Sequence, residues 1–333
     1  MTLFDEFVAA FGVWKEAVPY LHMMVCEEEM QLVVAMQNRS ITEQGAVELL
    51  GLAPERTAAL LQQAYRRYIV DREDLGDIGV YSAGSFYHHL DYFAKHENWD
   101  DIPAEDRRDI DRRFLDEFIA RHRTNVERKL QGLEAENALP NDTVLLLQEV
   151  EEMIDAATHI VVEPCDCRRL GQNCDRPVET CVWFDDVALS ALDRGHGRRL
   201  TRKEARELVR WADRKGLMHT GDSEWRERGL SALCNCCACD CYPFRAAREL
   251  DSKGIWPRNR YVAVHDAEQC NQCGACVRRC HFQAFYHDGT TVEVEGKEKQ
   301  IVRYETAKCW GCGLCANTCP SSAIRMEPLA AVR

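Results

Sequence analysis

The chain has 333 residues, 18 of them cysteine, and a formal charge of −13 at neutral pH. The length suits two or three domains, and the acidic balance argues against general nucleic-acid binding, which rests on neutralising phosphates, and fits a protein that docks on other proteins. With no secretory leader pattern and no apolar run long enough to span a bilayer, a cytoplasmic protein is expected, and there dense cysteine points to metal ligation or redox chemistry rather than structural disulfides.

Residues 1–160 carry little of that chemistry. The stretch from Glu27 to Val70 reads as helix, Ser/Thr cap, helix, a Gly51-Leu52-Ala53-Pro54 turn, then a third helix from Pro54 to Asp71, with "DIGVYSAGSFYHHLDYF" as a wing. This is a helix-turn-helix pattern. Arg56, Arg66, Arg67 and Arg72 lie on or beside the third helix, yet Glu27–Glu29, Glu43, Glu48 and Glu55 surround them, so a scaffold is expected rather than a DNA reader. Cys26 reads as a small buried apolar residue, and His88 and His89, in an aromatic strand or helix, as packed or solvated side chains. Asp100 to Gly132 reads as a charged helix whose stripe of Phe114, Leu115, Phe118 and Ile119 packs on the core or a partner. Neither a glycine fingerprint after a strand nor a P-loop occurs, so no nucleotide cofactor is expected.

Apart from Cys26, every cysteine lies at or beyond Cys165. That places a boundary near Val161–Pro164 and a cysteine-rich middle domain over 161–254. Its first group, Cys165, Cys167, Cys174 and Cys181, has the form C-x-C-x6-C-x6-C. A helix follows over Thr201–Gly216, with Ala205, Leu208, Val209 and Ala212 on one face, Thr201 and Glu204 as a capping box and Gly216 as its stop. A strand over Leu217–Thr220 would complete a second small winged-helix-like unit. The second group is Cys234, Cys236, Cys237, Cys239 and Cys241, and no helix or strand needs five cysteines in eight residues for packing. Iron-bound thiolates cannot pair as disulfides, and nine thiols suffice for two four-iron clusters with one to spare. Adjacent Cys236 and Cys237 are poorly placed to share one cubane. A structural zinc site and a redox-active dithiol are the competing readings, and neither needs nine cysteines.

The last region, 255–333, repeats C-x2-C-x2-C-x3-C at Cys270, Cys273, Cys276, Cys280 and at Cys309, Cys312, Cys315, Cys319. This is the bacterial two-[4Fe-4S] ferredoxin spacing, in which the fourth cysteine of each run serves the other cluster. Cys270, Cys273, Cys276 and Cys319 are therefore expected to hold one cluster, and Cys309, Cys312, Cys315 and Cys280 the second. Gly274, Gly311 and Gly313 supply the tight turns. Paired zinc ribbons would leave the third and fourth cysteines of each run unexplained. Between the runs, an extended hairpin turning at Glu295-Gly296-Lys297 is expected beside the second cluster, to shield it or dock a partner. His281, where proline usually follows the fourth cysteine, either tunes a cluster by hydrogen bonding or caps its short helix.

Together, "CDCRRLGQNCDRPVETC", "LCNCCACDCYPFR" and the ferredoxin repeat resemble the 4Fe-4S dicluster ferredoxin-type proteins of anaerobic bacteria and archaea that carry an amino-terminal winged-helix-like region and an extra cysteine-rich middle domain. Such proteins commonly have a cysteine where this chain has Asp240, which either removes a ligand or supplies one. The resemblance implies an α+β chain: a helical winged-helix-like scaffold (1–160), the cysteine-rich middle domain (161–254) and a two-[4Fe-4S] ferredoxin fold (255–333), with two clusters in the last and two more in the middle. It implies electron transfer to or from a partner flavoprotein, dehydrogenase or reductase, as a subunit of an oxidoreductase complex rather than a stand-alone enzyme. The alternative is a redox-sensing winged-helix DNA-binding regulator. Catalysis at an incompletely ligated middle cluster lacks an accompanying acid or base constellation.

Overall fold

Local capping chemistry starts and stops the first helices. Leu3–Phe11 opens on a Thr2–Asp5 capping box, and Glu43–Leu50 opens on Thr42, whose hydroxyl accepts from the Gly45 N–H. Gly51, left-handed at φ 64°, ends that helix, and Pro54 begins Pro54–Arg66. A computed structural model describes residues 2–76 and 78–329. It divides into one unit of residues up to Glu117 with Arg169–Gly171 and Asp193–His196, and a second unit from Phe118 onward without those two segments.

In the first unit, helices Leu3–Phe11, Glu27–Met36, Glu43–Leu50 and Pro54–Arg66 accompany a three-stranded antiparallel sheet of β1 (Ile41–Thr42, between the second and third of these helices), β2 (Val70–Leu75) and β3 (Ile78–Ala83), ordered β1-β3-β2. Several expectations shift here. The third helix ends at Arg66, not Asp71, because the chain turns through a left-handed Tyr68 and Val70 enters β2. Of the segment read as a wing, only Ile78–Ala83 is strand; Phe86–His96 is a helix, because the Ser85 hydroxyl accepts from the His88 N–H and caps it. Cys26 is exposed rather than buried, since it sits at the mouth of Glu27–Met36, where its N–H donates to Glu29 Oε2. His89 is buried, its ring nitrogens 2.6 Å and 3.0 Å from the carbonyl oxygens of Arg67 and Met24, and burial lowers its pKa.

The centre of this unit is ionic. Fully buried Glu29 pairs with Arg67 at 2.5 Å, and Arg67 also binds Glu97 through Nε at 2.7 Å and Nη2 at 2.8 Å, and the Met24 carbonyl at 2.6 Å. Removing one partner of a buried pair leaves the other charge uncompensated. Glu29→Ala is therefore expected to cost about 3–5 kcal/mol, read as a lowered urea midpoint, with Glu29→Gln milder because it keeps a hydrogen-bonding group.

The helix Ala104–Leu130 begins after Pro103, later than the expected Asp100, because Trp99–Asp101 forms a separate 3-10 turn. Phe114, Leu115, Phe118 and Ile119 are buried, while ion pairs such as Arg113–Glu117 and Arg123–Glu127 occupy its outer face.

The second unit is built on a six-stranded antiparallel sheet of β4 (Thr143–Leu145), β5 (Ile160–Pro164), β6 (Glu179–Phe184), β7 (Arg198–Arg199), β8 (Met218–Gly221) and β9 (Ala232–Cys236), ordered β4-β8-β9-β6-β5-β7. Helices Leu147–Ala156 and Arg202–Arg214 pack Val150, Met153, Ala205 and Val209 against Val162, Val182, Phe184 and Leu233. The Thr201–Glu204 capping box and the left-handed Gly216 stand where the pattern places them. The expected helix-and-wing unit is not what they form: β8 is an inner strand, hydrogen-bonded to β4 and β9 on its two edges and buried along its length. β4 and Leu147–Ala156 precede Val161–Pro164 in sequence yet belong to this same layer.

Beyond the sheet, β10 (Tyr261–His265) pairs with β13 (Ile324–Pro328), and β11 (Phe285–Val294) with β12 (Lys297–Tyr304). The β11–β12 hairpin turns through Glu295 and Gly296, both at positive φ, as a two-residue hairpin turn requires. No helix among the described residues is long and apolar enough to cross a membrane.

Candidate metal centres

Each C-terminal cysteine run ends in a short helix entered through a left-handed glycine: Gly274 before Ala275–Arg279 and Gly313 before Leu314–Asn317. The preceding loops curl so that three thiols face one centre, and the short helix carries the fourth away from it. Two cavities result. One is lined by Cys270, Cys273, Cys276 and Cys319; the other by Cys309, Cys312, Cys315 and Cys280, with Phe282 and Trp310 in its wall. Each cavity thus gathers three thiols from one run and the last from the other.

The walls are apolar, and backbone N–H groups reach the sulfurs: Ala284 to Cys280 Sγ at 3.2 Å and Gly311 to Cys309 Sγ at 3.4 Å. Burial pushes the Cys276 and Cys312 thiols up to about 12, so the thiolate form calls for a bound cation. Four thiols around a mostly apolar cavity, with N–H donors for sulfur, is a donor set that fits a four-iron cluster. The wall is also sterically tight. A Cβ on Gly311, at φ 69°, would stand 2.2 Å from the Tyr261 carbonyl oxygen, so Gly311→Ala is expected to empty the second cavity, measured as iron lost per chain while the first cavity keeps its own.

The nine middle thiols separate by sheet geometry. Because β6 lies between β5 and β9, Cys181 comes beside both Cys165 and Cys234. Cys165 also touches Cys167, Cys167 touches Cys241, Cys241 lies 3.3 Å from Cys236, and Cys236 touches Cys234, closing a ring of six. Cys174, Cys237 and Cys239 form a separate triad whose sulfurs lie within 4.8 Å of one another. The division is six and three, not the expected four, four and one, because the turn after β9 sends Cys237 and Cys239 away from the ring while Cys236 and Cys241 stay in it.

Arg168, a residue the motif reading passed over although it adjoins Cys167, is the ring's counter-charge. Only 3% exposed, it donates to the carbonyls of Pro177 at 2.8 Å and Asn235 at 2.7 Å and to the Thr180 hydroxyl. Burial disfavours its charge, but the Cys165, Cys181, Cys237 and Cys236 sulfurs more than offset that and hold it protonated. Asn235 and His219 are tied behind it, Nδ1 of His219 lying 2.7 Å from Asn235 Oδ1.

The ring and the second cavity share one apolar core. Cys236, Cys241 and Phe244 pack with Trp310, Leu314, Phe282 and Cys312. The Trp310 ring stacks on Phe282 at 4.9 Å and meets Phe244 edge-on at 5.0 Å. Next to this core His281 neither caps its helix nor reaches sulfur: its Nε2–H donates to the Gly216 carbonyl at 2.7 Å. Burial lowers its pKa to about 4, so the ring is neutral.

Residues 269–323 match the family model described as the 4Fe-4S dicluster domain. Over 82 residues, 25% of this chain and 71% of that protein, the sequence is 36% identical to pyruvate synthase subunit PorD of Thermotoga maritima. Over 57 residues, 17% of this chain and 77% of that protein, it is 32% identical to an uncharacterized ferredoxin of Methanocaldococcus jannaschii.

Proposed function

We propose, from the premise that this chain belongs to the 4Fe-4S dicluster ferredoxin-type proteins, that its ferredoxin-like electron transfer serves an oxidoreductase complex, relaying electrons to or from a partner flavoprotein, dehydrogenase or reductase in the cytoplasm. The observation that carries this reading is the pair of cavities, each lined by three thiols of one run and the fourth of the other. Cys270, Cys273, Cys276 and Cys319 would hold one cluster, Cys309, Cys312, Cys315 and Cys280 the other, and the six-thiol ring a third; the fourth cluster expected from nine middle thiols finds only three left. When bound, such clusters each carry one electron at a time.

The chain's own part is to hold and insulate. Apolar side chains line both cavities, N–H groups of Ala284 and Gly311 and the Arg168 cation favour the more negative, reduced state, and the Phe244–Trp310–Phe282 packing joins the ring to the second cavity. The relative named as a pyruvate synthase subunit supports docking on an enzyme complex. The regulator reading loses three of its four arginines to ion pairs: Arg56 pairs with Glu28, Arg67 with Glu29 and Glu97, and Arg72 with Asp193.

Anaerobically prepared full-length protein should contain about twelve irons matched by about twelve acid-labile sulfides, be reduced reversibly by dithionite, and pass those electrons to an oxidised flavodoxin in stopped-flow mixing. Failure of any centre to take and return an electron, or tight sequence-dependent binding in a low-salt DNA filter assay, would overturn the reading.

A further inference from the structure

We propose that Cys174, Cys237, Cys239 and Asp240 form a separate tetrahedral site for a single thiophilic divalent cation, zinc being the ion this donor set suits. Zinc takes four ligands with metal–sulfur bonds of about 2.3 Å and metal–oxygen bonds of about 2.1 Å, which places sulfurs about 3.8 Å apart and sulfur and oxygen about 3.6 Å apart. Here Cys174 and Cys237 Sγ are 3.7 Å apart, and Asp240 Oδ2 lies 3.1 Å from the first and 3.6 Å from the second. Cys239 completes the triad within 4.8 Å.

The carboxylate is aimed as a ligand's would be. Asp240 is fully buried, and its Oδ1 accepts from both the backbone N–H of Asn173 at 2.9 Å and its side-chain amide at 2.8 Å. Those two donors hold the group so that Oδ2 faces Cys174 and Cys237, the arrangement by which second-shell hydrogen bonds orient a metal-binding carboxylate. The Cys174 and Cys237 thiols donate to Oδ2, and a cation would take the place of those two protons. Three thiolates and one carboxylate exceed a dication by two charges, and two arginines stand by: Arg176, whose Nη1 is 3.6 Å from Cys239 Sγ, and Arg168, which interacts with Cys237. The shell outside is apolar, with Ala212, Leu217 and Trp211 packed on the triad.

The local chain is shaped for it. Cys237 to Asp240 is a turn closed by the Cys241 N–H on the Cys237 carbonyl at 3.4 Å, and left-handed Gln172 ends the helix Asp166–Gly171 and delivers Asn173 and Cys174 opposite. An ion here would pin the turn that carries Cys236 and Cys241 to the ring.

The test is metal analysis of anaerobically purified full-length protein, independent of its electron-transfer activity. Wild type should hold about one zinc per chain beyond the iron that sulfide accounts for. Asp240→Ala should lose that zinc, while iron, sulfide and the electron paramagnetic resonance (EPR) signals of the ferredoxin-domain clusters stay unchanged. Cobalt loaded in place of zinc should show tetrahedral d–d bands, and Asp240→Cys should keep the ion but move those bands to longer wavelength. Zinc absent from wild type, a fourth set of iron and sulfide in its place, undiminished binding in Asp240→Ala, or a cobalt spectrum unchanged in Asp240→Cys would each overturn the proposal; the last decides the matter if Asp240→Ala fails to fold. Loss of the ferredoxin signals in wild type would instead count against electron transfer.

Discussion

Cys319→Ser is expected to abolish the intact four-iron signal of the cluster at Cys270, Cys273 and Cys276, leaving the cluster beside it in the chain, at Cys309, Cys312 and Cys315, in place. Cys319 lines the first cavity, and its Sγ lies 3.7 Å from the Ser321 hydroxyl, which lines it too. A serine oxygen is a poorer iron ligand than a thiolate, so the cluster is lost or reduced to three irons. The mirror variant, Cys280→Ser, is expected to strike the Cys309 site. EPR of the reduced protein, with iron counted on the same sample, reads both. Damage confined to the cluster next to the mutation in sequence would show the exchange of fourth ligands to be wrong.

Arg168→Met is expected to be the most damaging change in the middle region outside the cysteines. It removes a buried cation and strands three acceptors, the carbonyls of Pro177 and Asn235 and the Thr180 hydroxyl. The expected loss is about 3–5 kcal/mol. Its second effect is electrostatic: without the cation, adding an electron to the ring's centre is harder, so its midpoint potential falls while those of the ferredoxin-domain clusters hold. Arg168→Lys should recover part of the potential but little of the stability, because one ammonium cannot reproduce the guanidinium's planar fork. Anaerobic redox titration and urea unfolding measure the two separately. An unshifted ring potential in Arg168→Met would remove the arginine's electrostatic role.

What the sequence by itself determined is what a few neighbouring residues decide. The capping box at Thr201, the left-handed Gly216, the Glu295-Gly296 turn and the glycines beside each ferredoxin run act within a turn or two of backbone, so spacing alone places them. The C-x2-C-x2-C-x3-C runs are legible for the same reason: three thiols on one short loop need no distant partner to face one centre. Tertiary structure decided the rest, because strand pairing joins segments that spacing cannot relate. Only the order β4-β8-β9-β6-β5-β7 makes Leu217–Thr220 the core of an inner strand rather than a wing, and only the β5-β6-β9 adjacency closes six thiols into a ring. The same pairing gathers Cys174, Cys237 and Cys239, sets Asp240 against the first two, and turns Arg168 inward as the ring's counter-charge. A buried charge or carboxylate takes its meaning from groups far along the chain that desolvate and contact it, and those meet only when the sheet forms.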